Sequence, residues 1–310
     1  MHHLRQDPAR RPGHSGQNRQ GRRRRWRRGR PARHRSHHHL GTTGLMTMKF
    51  TRIAAMLGML AFAVTATSCS HHKSGDTAAT TSSSAAATAT RAPVPPVTGP
   101  ALPPFFPSPA VGANCQYPRS ADPAAKAAPA PTPGKASADP AQVGLTVVTD
   151  RGRIGLQLAN NESPCTVNSF VTLAQGAYFD NTECHRLTTA RALSVLQCGD
   201  PKGDGTGGPG YHFADEFPTD QYPSGEPALK QPVVYPRGTL AMANSGPGTN
   251  GSQFFMVYRD SLLPPAYTVF GTIDQAGLAV LDKIAAGGVA GGGDDGAPAN
   301  EVTITTARRD

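Results

Sequence analysis

The stretch Arg237–Phe255 reads RGTLAMANSGPGTNGSQFF and holds the most distinctive set of side chains in this sequence. It combines small residues with amide side chains and two phenylalanines, and it contains no Cys, His or carboxylate. Metal binding and most acid–base catalysis rely on the groups that are missing. Small residues beside amide and aromatic groups are better suited to a groove that holds an extended peptide.

Other motifs that could carry chemistry are weak. Gly203–Gly208 (GDGTGG) fits the letters of a dinucleotide-binding loop, but neither a βαβ unit nor a helix start surrounds it. A tight glycine loop is the favoured interpretation. The histidines lack metal-ligand spacing, and Gly251-Ser252-Gln253 is not a nucleophile turn. We therefore expect no metal and no cofactor.

Five motifs follow one another in a characteristic order and spacing. They are Cys184-His185-Arg186-Leu187, Gln197–Asp200, Gly205–Tyr211, Arg237–Phe255 and Tyr267–Gly271. Together they resemble the cyclophilin family of peptidyl-prolyl cis-trans isomerases over residues 141–310. The match is long and specific between Met242 and Phe255.

The resemblance implies a reaction in which no bond is broken. Rotation about an X–Pro amide crosses a barrier of ~18–20 kcal/mol that amide resonance sets. A catalyst must bind the twisted amide better than either planar form. By resemblance, Arg186 is the catalytic cation, and its guanidinium donates toward the substrate carbonyl and the prolyl nitrogen. Gln253 and Asn244 hold the peptide backbone.

The resemblance also implies two pockets. Phe255 and Leu263 form the apolar slot for the prolyl ring, whereas Ala243 and Ser245 line the neighbouring pocket. Gln197, in the second motif, is a further substrate-binding residue. Proline-containing peptides and unfolded secreted proteins are the expected partners, and we expect the chain to be a monomer.

Three features depart from the family pattern. The connection from Arg186 to Gln197 is longer than usual. Leu193, Ser194 and Val195 lie near the opposite wall of the slot, and we expect Val195 to contribute it. Tyr267, a further expected substrate-binding residue, replaces a frequent His, and Leu262 replaces a frequent Trp. Loss of the indole ring and its N–H donor should weaken the binding of cyclosporin. The altered wall leaves an alternative open, namely a proline-peptide-binding chaperone module with little or no turnover.

The sequence predicts many short strands, from apolar runs, and two helices, and these elements must position the candidate site residues. A hairpin is predicted over Val143–Leu158, and a helix begins at Ser163-Pro164 and ends at Gln175-Gly176. A second helix is predicted around Leu278–Ala286. Further strands are predicted near Cys184–Thr188, Ser194–Cys198, Thr239–Ala243, Phe254–Tyr258, Val269–Thr272 and Val302–Thr306. This pattern favours a mainly β barrel, and the resemblance implies an eight-stranded antiparallel closed β-barrel capped by two α-helices.

Four cysteines lie beyond residue 100, and three pairings of them are open. Cys184 and Cys198 flank a predicted hairpin, which favours a disulfide between them. That pairing would join Cys115 to Cys165, at the start of the first helix.

The net charge of +10 does not indicate a nucleic-acid partner. Residues 1–45 contain 13 Arg, no Lys and one acid, whereas the rest of the chain has 18 basic and 20 acidic residues. The basic tract precedes a secretory signal over 46–69, with a charged start, the apolar run Ile53–Val64 and small residues before Cys69. We expect 1–45 to be either untranslated upstream sequence or a disordered tract, and we expect no nucleic-acid binding.

Cys69 resembles the lipidated cysteine of a bacterial lipobox. Residues 70–140 are rich in Ser, Thr, Ala and Pro, which predicts a disordered tether. The isomerase-like domain then spans 141–310. These segments predict a protein held by its lipid on the extracytoplasmic face of the cell membrane.

Metabolic labelling with a fatty acid tests this anchor. We expect the wild-type chain to incorporate the label and Cys69→Ala to lose it, because the thiol of Cys69 is the acceptor. Equal labelling of the two proteins would contradict the lipid anchor.

Overall fold

The computed structural model describes residues 95–310. The basic tract, the signal with Cys69 and the first part of the tether lie outside these residues. Twelve strands are present in this part of the chain: β1 (Gln142–Thr149), β2 (Gly152–Ala159), β3 (Thr182–Glu183), β4 (Arg186–Thr188), β5 (Val195–Cys198), β6 (Val233–Tyr235), β7 (Thr239–Met242), β8 (Phe254–Val257), β9 (Ser261–Leu263), β10 (Val269–Ile273), β11 (Asp295–Gly296) and β12 (Thr303–Arg309). The α-helices are α1 (Pro164–Gln175) and α2 (Gln275–Ala286), and short 3₁₀ turns cover Thr219–Gln221, Pro227–Lys230 and Ala290–Gly292.

Ten strands form one antiparallel sheet in the order β11-β4-β5-β8-β7-β10-β2-β1-β12-β3, and β6 pairs with β9 separately. The mainly β fold with two helices is therefore confirmed. The eight-stranded closed barrel is not confirmed. The strand predicted near Cys184–Thr188 is present only at Arg186–Thr188 (β4) and is preceded by the short strand β3 (Thr182–Glu183). The strands β3 and β4 pair near opposite ends of the sheet order. Since only two residues separate them, the sheet must curl strongly to bring its two ends together.

The sheet encloses a large apolar core that both helices cover. Buried side chains of α1, such as Phe170 and Leu173, join side chains of β1, β2 and β12 in this core. From α2, Leu278, Leu281 and Ile284 do the same. No helix within residues 95–310 has the length and apolar character needed to cross a bilayer.

Both helix starts depend on carboxylates. The second helix begins at Gln275, earlier than predicted, because Asp274 Oδ1 accepts a hydrogen bond from Gly277 N at 2.6 Å. Ser163 stands at the N-cap position of α1 as its place before Pro164 predicts, but its hydroxyl donates to Val269 O and makes no capping hydrogen bond. Instead Glu216 accepts hydrogen bonds from the amides of Cys165 (3.0 Å) and Thr166 (2.7 Å).

Both disulfides have the predicted pairing, Cys184–Cys198 and Cys115–Cys165. The second bond holds an arm, residues 95–140, against the domain. Along the arm, Pro100 O accepts a hydrogen bond from Val234 N at 2.7 Å, and Phe105 packs edge-on against Phe217.

The arm differs from the disordered tether that its composition predicts over 70–140. Tyr117 packs against Tyr211 and Phe213, and its hydroxyl donates to Cys165 O at 2.8 Å. Lys126 Nζ donates to two carbonyls of the turn after α1. Scattered aromatic and apolar residues with one disulfide thus anchor a segment whose average composition is that of a linker.

The buried Glu216 should make stability depend on pH. Burial raises its pKa from 4.5 to about 7, so the folded chain holds this proton more tightly than the unfolded chain does. The contribution of protonated Glu216 to the free energy of unfolding is complete below pH 4.5. As pH rises toward 7 this contribution is lost, and the free energy of unfolding falls by up to about 3 kcal/mol.

Urea unfolding at pH 4.5, 6 and 7.5 checks this expectation. Glu216→Gln should flatten the decline in the free energy of unfolding, since an amide does not titrate. The exposed Glu226→Gln serves as the matched control and should keep the wild-type slope. A wild-type slope in Glu216→Gln would show that another group is responsible.

Candidate active site

The site is built on three central strands that are buried on both faces. Because side chains alternate along a strand, β5, β7 and β8 each contribute to two apolar clusters. Leu196, Phe254 and Met256 belong to the large core. Val195 and Phe255 face the other way, into a smaller cluster with residues such as Tyr235 and Val257.

The strand register aligns functional side chains in one row. Arg186 lies opposite Gln197 in the β4–β5 pair, and Gln197 lies opposite Phe255 in the β5–β8 pair. Phe255 in turn lies opposite Ala241 of β7. Residues directly opposite in an antiparallel pair point to the same face of the sheet. Three motifs that are distant in sequence therefore meet on one face.

This row forms the floor of a slot of about 230 Å³. Its lining combines apolar side chains with a guanidinium and amides: Arg186, Leu193, Val195, Gln197, Ala243, Asn244, Phe255, Leu263 and Tyr267. The rings of Phe255 and Tyr267 pack edge-on, with centroids 5.7 Å apart. The predicted slot residues Phe255, Leu263 and Val195 do lie together.

The long connection between β4 and β5 supplies the opposite wall of the slot. Ser194 N donates to Ser261 Oγ at 2.9 Å, and Leu262 N donates to Ala192 O at 2.8 Å. These bonds tie the connection to β9. Leu193 faces the slot beside Val195, within the segment expected to form this wall.

A second cavity of about 480 Å³ adjoins the slot and shares Gln197, Ala243 and Asn244 with it. The remaining predicted residues, Ser245 and Gln253, line this cavity. Part of its wall comes from the arm, through Ser120, Asp122 and Pro123. These arm residues were missed because their segment was assigned to the tether.

Side-chain amides connect the two cavities. Gln197 Oε1 accepts a hydrogen bond from Arg186 Nη1 at 3.2 Å, and Gln197 Nε2 donates to Gln253 Oε1 at 2.9 Å. Gln253 Nε2 donates to the carbonyls of Gly205 (2.8 Å) and Gly207 (2.9 Å). In this structure Gln253 therefore fixes the glycine loop as well as facing the cavity.

The glycine loop is folded around a carboxylate. The side chain of Asp200 is fully buried and accepts hydrogen bonds from the amides of Lys202 and Gly205, each at 2.8 Å. A Cβ added at Gly207 would overlap Asp200 Oδ1. Glycine is thus required for close approach to this carboxylate. Asp200 carried no chemical signal of its own in the sequence.

Asn244 and Arg186 are each held by groups outside the slot. Asn244 Nδ2 donates to Ala266 O at 2.8 Å, and its Oδ1 accepts from Gly246 N at 3.2 Å. These bonds orient the backbone at the slot rim. Arg186 forms an ion pair with Asp295, a residue 109 positions away that the motifs did not indicate.

The described residues of the site include no cluster of metal ligands. Within residues 95–310, no group of three or more His, Cys, Asp or Glu side chains is arranged to hold a metal ion. What the geometry offers is an apolar slot, hydrogen-bond donors at its mouth and one guanidinium. These groups can bind a planar or twisted amide next to a compact apolar ring.

Comparison with known proteins agrees with this description. The family model for cyclophilin type peptidyl-prolyl cis-trans isomerase matches residues 144–309, more than half of the chain. The chain belongs to the cyclophilin family of peptidyl-prolyl cis-trans isomerases.

The chain is most usefully compared with mycobacterial relatives. It is 68% identical over 213 residues to the probable peptidyl-prolyl cis-trans isomerase B of Mycobacterium tuberculosis, covering 69% of each chain. Identity to the protein of the same name from Mycobacterium leprae is 67% over 209 residues, covering 67% of this chain and 71% of the relative. A solved Cryptosporidium parvum cyclophilin type isomerase superposes with a TM-score of 0.43 at 29% identity, covering 55% of this chain and 98% of that one.

Proposed function

We propose that this isomerase binds X–Pro segments of extracytoplasmic proteins in the slot and accelerates their cis–trans exchange. The observation that supports the proposal most directly is the row Arg186–Gln197–Phe255. It places a guanidinium at one end of an apolar slot and an aromatic floor at the other. A peptide whose prolyl ring lies on Phe255 would carry its reacting amide toward Arg186.

The proposed role of each group follows from what the rotating amide requires. The transition state loses amide resonance, so its carbonyl and its pyramidal nitrogen are the atoms that change most. The apolar slot fixes the prolyl ring, while the rest of the peptide rotates against it. The Arg186 guanidinium donates hydrogen bonds from a rigid, planar fork. Donors already oriented toward the twisted form need little reorganisation, which favours that form over the planar ones.

The adjoining cavity would receive the residues that precede the X–Pro bond. Asn244 presents rim backbone groups to the peptide, and Ala243 leaves the passage between slot and cavity open. Gln253 acts through its bonds to the glycine loop and through Gln197. We further propose that the chain works as a monomer on the outer face of the membrane, held by the lipid on Cys69.

An exchange assay on an Ala-Pro peptide tests the enzymatic role. We expect Arg186→Ala to lower kcat/KM by roughly 10²–10³-fold, the usual loss when one electrostatic donor is removed from a transition state. Arg308, which also pairs with an aspartate but lies outside both cavities, provides the control variant Arg308→Ala. We expect Arg308→Ala to retain the wild-type kcat/KM.

The same assay decides between catalysis and binding alone. If the wild-type chain binds the peptide without accelerating exchange, the chain acts as a proline-peptide-binding module. An Arg186→Ala variant with wild-type kcat/KM would reject the role proposed for the guanidinium while leaving the isomerase activity intact.

Cyclosporin binding provides a separate test of the rim. Leu262 stands where the family often has a Trp, and Gly99 of the arm packs closely against its side chain. Without an indole N–H donor and its large ring, we expect inhibition weaker than the nanomolar range. Titration of the exchange rate with cyclosporin measures this, and a nanomolar inhibition constant would contradict it.

A further inference from the structure

Asp295 makes a two-point contact with Arg186. Arg186 Nε donates to Asp295 Oδ1 at 2.8 Å, and Nη2 donates to Oδ2 at 2.7 Å. The two parallel hydrogen bonds match the planar guanidinium to the planar carboxylate, which gives such pairs their directional character. These bonds raise the pKa of Arg186 and lower that of Asp295.

The backbone fixes where the carboxylate stands. Asp295 lies opposite Thr188 in the β11–β4 pair. Arg186 is two residues before Thr188 on β4, so its side chain points to the same face and is the diagonal neighbour of Asp295. A diagonal neighbour is within reach of a long side chain. Thr189 N donates to Asp294 O at 2.8 Å and extends this pairing by one residue. The edge strand β11 therefore holds the carboxylate at a set position beside the slot.

The contact with Asp295 determines which edge of the Arg186 guanidinium is left to donate hydrogen bonds to a peptide. Nε and Nη2 face Asp295, while Nη1 contacts Gln197 Oε1 at 3.2 Å, on the side of the slot. Held at three nitrogens, the fork has little freedom to rotate about its side-chain torsions. A free arginine would lose that freedom only when a peptide binds.

We propose that Asp295 is a positioning residue for the reaction, orienting the Arg186 guanidinium so that its Nη1 edge faces the rotating amide. The inference rests on the proposed role of Arg186. Asp295 does not touch the peptide in this scheme, and its effect passes entirely through Arg186.

The exposure of the pair separates this role from a structural one. The side chains of Arg186 and Asp295 are 38% and 52% exposed, and ion pairs of this kind contribute little to stability. Loss of the carboxylate should therefore leave the unfolding midpoint nearly unchanged. Loss of orientation at a reacting centre, by contrast, is costly, since a misplacement of about 1 Å can reduce the rate by ~100-fold.

Asp295→Asn is the central test, because it removes the charge and one acceptor while keeping the size. We expect kcat to fall by about tenfold with a smaller change in KM, since the misplaced donor acts mainly in the transition state. Asp295→Glu, which restores a carboxylate, should recover part of the rate. The adjacent exposed Asp294→Asn is the matched control and should behave as wild type.

Two further measurements separate positioning from other effects. In an Arg186→Lys background, which has no planar fork to orient, Asp295→Asn should have less than a twofold effect on the rate, as non-additive coupling requires. In ¹⁵N NMR spectra, the Arg186 Nε–H signal should be protected from exchange in wild type and lose its protection in Asp295→Asn.

The outcomes distinguish this inference from the proposed function. If Arg186→Ala abolishes activity but Asp295→Asn retains the wild-type kcat, the positioning role is rejected and the role of Arg186 stands. A higher kcat in Asp295→Asn would also reject it, because the carboxylate would then compete with the peptide for the guanidinium. Equal losses in the wild-type and Arg186→Lys backgrounds would indicate a purely structural effect. A wild-type chain without turnover would instead reject the proposed function itself.

Discussion

The pairing register of β5, β7 and β8 is the constraint on which the slot depends. All three strands contribute buried side chains to both faces of the sheet, and each face packs into its own apolar cluster. The side chains of one face therefore do not fit the packing of the other. A shift of one residue would exchange Phe254 with Phe255 and direct the wrong ring into the slot. The large core therefore stabilises the slot indirectly, because it fixes the register that aligns Arg186, Gln197 and Phe255.

Polar contacts extend this row beyond the sheet. Starting from Asp295, hydrogen bonds run through Arg186, Gln197 and Gln253 to the glycine loop. Each of these side chains is at least partly exposed and forms a hydrogen bond with its neighbour. The arrangement suits a reaction that requires oriented donors and no proton transfer, since amides and a guanidinium keep their protonation state across the physiological range.

Local sequence signals predicted the parts of this fold that local physics determines. Pro164 with Gly176 defines the first helix, and the disulfide Cys184–Cys198 follows from two cysteines that flank a predicted hairpin, a pairing that leaves Cys115 for Cys165. The closed barrel is not confirmed, and Ser163 makes no capping hydrogen bond with its side chain, because strand order and the position of Glu216 depend on partners distant in sequence. Asp295 was missed for the same reason.

The pairing of β12 with β1 affects how the slot acquires its register during folding. The strand β12 (Thr303–Arg309) lies between β1 and β3, and its Ile304 and Ala307 complete the large core. Until β12 has paired with β1, the core that fixes the register of the slot strands stays open along β1. Pairings between such distant segments form slowly, since the loop that they close is long. The fixed register of the slot therefore depends on the pairing of β12 with β1 as well as on the slot strands themselves.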